Sequence, residues 1–184
     1  MAMAVVEPTR FKRIEHDEPG HTVPLYGTGS IGDVDPEPTS QITRFPGYED
    51  YCVKLTTVLI PRSGQLNGII GTATLPIGGV RTGVVSEHAI RVHCRNEVDT
   101  GYLFLALRSQ TGLVQLKARA FGGSIPTLDV ANVSAVLVPD LPPKTREKLG
   151  DEGFEVGRMR TTAIEKERRA REVLVAALEA AGRE

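Results

Sequence analysis

The chain has 184 residues, a formal net charge of −1 and 40% hydrophobic residues, but only 5% aromatic residues and no Trp. This composition fits one globular domain with an appendage, and no stretch reaches the roughly 18 to 20 apolar residues that a membrane span requires. Because the amino-terminal residues also lack the apolar core of a signal peptide, the sequence predicts a cytoplasmic protein without membrane association.

The small net charge conceals a gradient along the chain. Residues 1–40 contain three Lys or Arg against seven Asp or Glu, residues 42–146 contain eleven against seven, and residues 147–184 contain eight against nine. Only the central block is net positive, as phosphate contacts would require. A window of this length can also drift by a few charges without any functional meaning.

The first half of the chain predicts strands and turns. Residues 23–33 (VPLYGTGSIGD) predict a short strand followed by glycine-rich turns. Residues 51–61 (YCVKLTTVLIP) are rich in β-branched side chains and predict a strand that enters a buried sheet. Residues 65–85 contain five glycines, which favours short strands joined by tight turns.

This turn-rich region carries polar side chains of the types that reach base edges. Arg can bind guanine through two hydrogen bonds, and Asn or Gln can do the same for adenine. Asn and Thr beside glycines are also ordinary turn formers, so single residues carry little weight. The candidate reading surface consists of Arg62, Ser63, Gln65, Asn67, Thr72, Thr74 and Arg81.

The next strand is predicted at HAIRVHC, where an imperfect alternation directs Arg91 and His93 outward, together with His88 or, in strict alternation, Glu87. These histidines, with Cys52 and Cys94, raise the question of a metal site. The spacing argues against one, because there is no C-x2-C or H-x3-H pair and the two histidines would point to opposite faces of a strand. We therefore expect no metal, and free thiols rather than a disulfide.

A short buried helix is predicted at Tyr102–Arg108, followed by an extended segment, LVQLKARAF. In an extended segment Lys117 and Arg119 would lie on one side, since they are two residues apart. The Gly-Gly-Ser turn that follows would add free backbone N–H groups and a hydroxyl. Charge, N–H groups and a hydroxyl together suit a phosphate, which makes Lys117, Arg119, Gly123 and Ser124 candidate DNA contacts.

After this turn, Asp129 is predicted to cap a short helix through Val133, and residues 135–138 to form a strand. Pro142 and Pro143 suit the first turn of a final helix.

The final helix is predicted to break near its glycines, because Gly150, Gly153 and Gly157 each cost about 1 kcal/mol relative to Ala. A clean helix is then expected from Arg158 to about Ala181, with a length of about 36 Å.

Small apolar residues recur every seven positions along this helix. Such a stripe favours pairing with another helix, although Arg160 and Glu167 occupy positions where a strong coiled coil carries Leu or Ile. The alternative is a helix that lies back on its own domain. The candidate pairing residues are Val156, Ala163, Ala170, Leu174 and Ala177.

The order of these elements resembles that of the specificity subunits of type I restriction-modification systems. The resemblance runs from about Val23 and is strongest from Gly101 to Pro143, where a short helix, the turn GGSIP, a small helix and a strand that closes on Pro lead into a long helix. It implies an α/β (α+β) fold with a mixed sheet and short helices. It also implies a target recognition domain at 1–143 and a coiled-coil-type spacer helix at 144–184.

In that family a Gly-Ser turn lies near the DNA, so the resemblance gives this role to Gly123 and Ser124. It further implies double-stranded DNA as ligand, with a DNA methyltransferase subunit and, through the complex, a restriction (translocase and nuclease) subunit as partners. A complete subunit has two recognition domains and two spacer helices. This chain would therefore form a homodimer of half-subunits, belong to a longer chain, or serve as the recognition module of a fused methyltransferase-endonuclease.

The sequence offers little for catalysis. It contains no G-x-x-x-x-G-K-[ST] loop, no G-x-S-x-G elbow and no H-E-x-x-H motif. A nuclease-like carboxylate cluster and the cofactor loop of a methyltransferase are also missing. We therefore expect no enzymatic activity and no cofactor. A protein-interaction scaffold without a DNA role is the competing hypothesis, which the near-neutral charge favours.

Overall fold

The computed structural model describes residues 2–16 and 20–182, which fold into a mixed α+β architecture as the sequence predicts. Two 3-10 turns lie at Tyr48–Tyr51 and Gly78–Arg81. The strands of the described residues are β1 (Ala2–Val6), β2 (Thr22–Tyr26), β3 (Ser40–Thr43), β4 (Thr57–Pro61), β5 (Val84–Val85) and β6 (Ala89–Cys94). Their helices are α1 (Glu97–Arg108), α2 (Gln110–Ala118), α3 (Val130–Ser134) and α4 (Pro143–Ala181).

Two three-stranded sheets form the frame of the described chain. In the first sheet β6 lies between β1 and β4 and runs antiparallel to both, with Thr57 opposite His93 and Pro61 opposite Ala89. In the second sheet β2 lies between β3, which is antiparallel to it, and β5, which is parallel to it. The second sheet is therefore mixed, as predicted.

The first sheet is covered on both faces, which explains why every residue of β4 is buried. Val58 and Ile60 face a core that they share with α1, α2 and α4, whereas Leu59 faces a second core between the two sheets. Because successive residues of a strand point to opposite faces, a strand buried on both sides reads as a continuous apolar run. The predicted strand is confirmed at its end, but residues 53–56 before β4 are not strand.

Arg91 of β6 is buried, so the prediction that it faces outward is wrong. Its guanidinium lies on the face that the second sheet covers and donates to the backbone carbonyls of Asp50, Tyr51 and Val85 at 2.9 to 3.0 Å. These bonds join the first 3-10 turn and β5 to the first sheet. Burial lowers the pKa of the Arg91 guanidinium, against the opposing influence of Cys52 and Tyr51.

The segment around Lys117 and Arg119 is helical, so the prediction of an extended LVQLKARAF is wrong. Ser109 caps α2 by accepting a hydrogen bond from the Gly112 N–H at 3.1 Å. Residues two positions apart in a helix, such as 117 and 119, differ by about 200° around the helix axis. The alternation of a strand therefore does not bring Lys117 and Arg119 to one side, and Arg119 follows the last residue of α2.

Residues 135–138 do not form the predicted strand. The Gln115 side chain instead donates to the Leu137 carbonyl at 3.0 Å and accepts from the Leu137 N–H at 2.9 Å. A side-chain amide thus supplies to Leu137 the two bonds that a neighbouring strand would supply. The cap of α3 is as predicted, since Asp129 accepts from the Asn132 N–H at 2.7 Å.

Helix α4 continues from Pro143 to Ala181, so the predicted break at its glycines is wrong. Gly150 and Gly153 lie where α4 meets α1, whereas Gly157 faces Leu75. A Cβ atom on Gly153 would lie 2.4 Å from the carbonyl oxygen of Gly101, and one on Gly101 would lie 1.9 Å from that of Gly150. Gly150 and Gly153 are present because the two helix backbones touch, and burial of the contact outweighs their poor helix propensity.

Three side chains fasten the middle of α4 to loops of the domain. Thr161 accepts a hydrogen bond from the Gly78 N–H at 3.3 Å, and Ile164 is buried. The Arg168 guanidinium binds Asp35 through two bonds of 2.6 and 3.3 Å and Glu37 through one of 3.0 Å. The hydrogen bond to Asp35 raises the pKa of Arg168. We call this group of contacts the Arg168 anchor.

Beyond the Arg168 anchor, residues 169–182 are exposed along their whole length. The hypothesis that the helix lies back on its own domain therefore describes α4 only up to Arg168. The 14 residues that follow extend about 21 Å at 1.5 Å per residue. Their large exposed apolar side chains are Val173, Leu174, Val175 and Leu178.

Two further observations bear on function. No helix within residues 2–16 and 20–182 is long and apolar enough to cross a membrane. The same residues contain no group of three or more His, Cys, Asp and Glu side chains that could hold a metal ion. Cys52 and Cys94 are both free thiols, the second of them buried.

Candidate nucleic-acid interface

Two loops that are far apart in the sequence lie against each other at one end of the first sheet. Residues 62–69 follow β4, and residues 119–128 follow α2 and end one residue before Asp129, the N-cap of α3. The Leu128 N–H donates to the Arg62 carbonyl at 2.7 Å, the Gly64 N–H donates to the Pro126 carbonyl at 3.2 Å, and Ser63 Oγ lies 3.3 Å from Thr127 Oγ1. We call residues 62–69 and 119–128 the loop pair.

The loop pair exposes several of the predicted DNA-contact residues together. Gln65 and Asn67 are exposed in a turn that the bond from the Gly68 N–H to the Gln65 carbonyl closes at 2.9 Å. Gly123 and Ser124 are exposed in the turn of the second loop. The structure therefore brings side chains with amide and hydroxyl groups from two distant segments onto one surface.

Three cationic side chains lie in the loop pair or beside it. Lys117 is half-buried near the end of α2, with its Nζ 3.5 Å from the Gly68 carbonyl oxygen of the first loop. Arg119 is half-buried and donates to the Gln115 and Ala135 carbonyls at 3.1 Å. Within residues 2–16 and 20–182, the bonds of both cations go to neutral acceptors, so no carboxylate balances their charges in these bonds.

The third cation, Arg62, has a carboxylate partner. Its guanidinium forms an ion pair with Glu7, which follows β1, while its Nε is buried and has no hydrogen-bond partner within the described residues. For Arg62 to bind a guanine through two bonds, Glu7 would have to give up part of this ion pair. Arg62 is therefore the least available of the cations at the loop pair.

The two loops come from stretches of sequence without acidic residues. Residues 51–86 and residues 100–128 contain no Asp or Glu, whereas they contain Lys54, Arg62, Arg81, Arg108, Lys117 and Arg119. Each loop therefore brings positive charge and no negative charge of its own to the loop pair, and Glu7 reaches it from another segment. A surface of this kind has the sign that a polyanion requires.

Three predicted contact residues lie elsewhere or face inward. Thr74 is 3% exposed, and its hydroxyl donates to the Ile31 and Leu75 carbonyls at 3.3 Å. Thr72 is half-buried after the loop pair. Arg81 is exposed in the second 3-10 turn, where it lines a groove of about 190 Å³ beside α4. The seven residues of the predicted reading surface therefore do not form one surface.

The predicted helix-pairing residues occupy two different environments. Val156 packs against the core of the domain. Ala163, Ala170, Leu174 and Ala177 are exposed. The buried stripe of α4 is a different one, since Gly150, Gly153, Phe154, Gly157, Thr161 and Ile164 face the domain.

Sequence reasoning missed two features of this surface. Phe121 and Ile125 are exposed on the loop pair, at 51% and 65%. The absence of acidic residues from both stretches is visible in the sequence, but a charge total over residues 42–146 conceals it. No local pattern indicates the partners of Arg168, because Asp35 and Glu37 lie more than 130 residues away in the chain.

Comparison with known proteins gives matches to solved structures but none in sequence. No family model matches the chain, and no curated protein matches it in sequence. Among solved structures, it is similar to a type I restriction-modification system S subunit from M. genitalium, with 11% sequence identity and a TM-score of 0.49. The match covers 77% of this chain and 34% of the other, so the chain spans about a third of the length of that subunit.

Proposed function

We propose that the chain is a non-catalytic DNA recognition module of a restriction-modification system. It would direct a methyltransferase subunit, and through it a restriction subunit, to a defined sequence in the cytoplasm. The observation that carries the proposal is the loop pair. Two segments that the sequence indicates as candidate DNA contacts lie together in space, and neither contains an acidic residue.

The loop pair suits contacts with both the backbone and the bases of DNA. Lys117, the exposed N–H groups near Gly123 and the Ser124 hydroxyl have the chemistry of phosphate ligands. Gln65 and Asn67 are exposed amides, which can bind an adenine edge through two hydrogen bonds. Phosphate contacts would place the module on the duplex, and the amides would contribute sequence selectivity.

Helix α4 would serve as the spacer between two such modules. Its first part is packed on the domain, and its exposed end carries Ala170, Leu174 and Ala177, so a second helix could pack there. The second module would come from another copy of this chain or from a longer chain that contains both. A homodimer would recognise a palindromic sequence, because a two-fold axis relates its halves.

The first experiment measures binding of the purified chain to a randomised duplex library. Binding is measured with and without the methyltransferase subunit, and the retained duplexes are sequenced. Enrichment of a defined motif is the expected result. If no motif is enriched in either condition, the DNA proposal fails and the interaction scaffold becomes the better hypothesis.

Variants of the loop pair then test where the selectivity lies. Gln65→Ala with Asn67→Ala should cost about 1 to 3 kcal/mol of binding free energy for each amide that binds a base, and relax the selected motif at those positions. Lys117→Ala should weaken binding to all sequences and reduce its salt dependence. The control is Gln110→Ala, an exposed amide on α2 outside the loop pair. If the Gln65 and Asn67 double variant loses the same affinity on every sequence, as Lys117→Ala is expected to do, the two amides do not read bases.

A further inference from the structure

The loop pair exposes large apolar side chains at its turns. Phe121 is 51% exposed, Ile125 65%, Leu66 49% and Ile69 41%. Two come from each loop, and the bonds between the loops place the four on one end of the domain. Exposed apolar side chains that cluster on a monomer commonly mark a binding surface. The amides and cations described above do not account for these four.

The turn that carries Phe121 and Ile125 is closed by backbone bonds. The Phe121 N–H donates to the Thr127 carbonyl at 2.9 Å, and the Thr127 N–H donates to the Phe121 carbonyl at 2.7 Å. Gly122 adopts a φ of 104°, which L side chains rarely adopt, so the tight turn depends on this glycine. The apolar side chains are therefore presented from a backbone that is already ordered, and binding does not have to order it.

Charge decides between the partners that such a surface could fit. The apolar side chains are accompanied by Lys117 and Arg119, and the loops themselves contribute no carboxylate. Proteins that insert Phe, Leu or Ile between base pairs from the minor groove combine such side chains with Arg, Lys, Asn or Gln, which contact that groove. The same combination favours a duplex over an acidic protein surface, because a turn with two protruding apolar side chains matches the gap of an opened base step.

We propose that Phe121 and Ile125 form a wedge that enters the recognised duplex between adjacent base pairs and unstacks one step. This inference rests on the proposed function. The cost of unstacking is a few kcal/mol and is lowest at pyrimidine–purine steps. The wedge would therefore add selectivity for a deformable step at a position where no side chain makes a hydrogen bond to a base.

The test uses duplexes that carry the enriched motif, with 2-aminopurine at each position in turn, under the condition that gave enrichment. When 2-aminopurine occupies the step that the wedge unstacks, its fluorescence should rise several-fold. The variant Phe121→Ala with Ile125→Ala should abolish the rise and weaken binding to the intact duplex about tenfold. A mismatch at the same step opens it beforehand, so binding of the variant to that duplex should fall less than about twofold.

Val114→Ala is the matched control, since Val114 is 53% exposed on α2 outside the loop pair. It should change neither the fluorescence nor the affinity. If the motif is enriched but no position responds and the double variant binds as the parent does, the wedge is wrong while the proposed function stands. If the variant no longer binds the methyltransferase subunit but still binds DNA, the apolar turns are a protein contact and the wedge is again wrong. If no duplex is bound, both proposals fail.

Discussion

The Glu87 carboxylate lies beneath the segment that follows β1, with its side chain 7% exposed. Arg13 binds it, Arg10 approaches to 4.0 Å and His88 to 3.7 Å. Burial alone would raise the pKa of Glu87, but hydrogen bonds from its own N–H and from Arg13, with the charges of Arg13 and His88, outweigh burial and lower it. The folded chain therefore stabilises the ionised form.

This lowered pKa makes the stability of the fold depend on pH. A carboxylate whose pKa is lower in the folded state contributes stability above its unfolded pKa of about 4.3 and loses it as pH falls through the folded pKa. Glu87→Gln should therefore destabilise the chain by about 2 kcal/mol at pH 7, and the difference from the parent should shrink below about pH 4.3. Urea unfolding over a series of pH values measures this difference.

Glu172→Gln provides the control, because Glu172 is exposed on α4. It should leave the unfolding free energy unchanged within about 0.5 kcal/mol at every pH. If the difference in unfolding free energy between Glu87→Gln and the parent stays constant from pH 7 to acid, the charge of Glu87 does not contribute to stability and only the shape of its side chain does.

At the level of elements, the contact between α1 and α4 reverses the usual effect of a Gly→Ala substitution. In an exposed helix interior, Ala in place of Gly stabilises by about 1 kcal/mol. At Gly153 the new Cβ atom would lie 2.4 Å from the Gly101 carbonyl oxygen, a backbone atom that cannot rotate away. Gly153→Ala should therefore destabilise the fold by about 2 kcal/mol or more, measured by urea unfolding.

Gly29→Ala is the comparison for this prediction. A Cβ atom on Gly29 would meet nothing within 4 Å, and its φ is not positive. Its unfolding free energy should stay within about 0.5 kcal/mol of the parent. If Gly153→Ala proves stabilising, the two helices do not touch as described.

The elements that could be predicted are those whose signals are local. Strand β2, the cap at Asp129 and the buried helix containing Tyr102 follow from a few adjacent residues. Predictions failed where a distant segment decides the outcome. Gly153 looks like a helix breaker until α1 is placed beside it, and LVQLKARAF shows no strong period of either kind, so the Ser109 cap determines the result.

At the level of the whole molecule, the proposed pairing of α4 can be tested by mass. Ala170→Glu with Ala177→Glu places two carboxylates on the exposed stripe and should convert a dimer into a monomer, with unchanged thermal unfolding of the domain. Light scattering after size exclusion measures the mass. Val175→Glu is the control. Val175 follows Ala170 by five residues, a rotation of about 500° around the helix axis, so it lies on the side of α4 away from Ala170 and Ala177. A parent chain that is already monomeric would contradict pairing in solution.

The candidate site could be predicted only in part, since the sequence indicates residue types but not which segments meet. Gln65 and Ser124 are both candidates by residue type, and they are joined on one surface only through the bonds of their loops. Thr74 has the same chemistry and the same glycine-rich surroundings, but its hydroxyl is turned inward to the Ile31 carbonyl. Arg81 is separated from the others because the chain between them crosses the domain to α4.

The Arg168 anchor has a mechanical consequence for such an assembly. Beyond it, about 21 Å of helix extends away from the domain and is attached to it at one end. A rotation of about 5° at the anchor would move the far end by about 2 Å, enough to shift a side chain out of register with a partner. The direction of the free helix end is therefore set by the packing of α4 on α1 and by the loop containing Asp35 and Glu37, both of which lie far from that end.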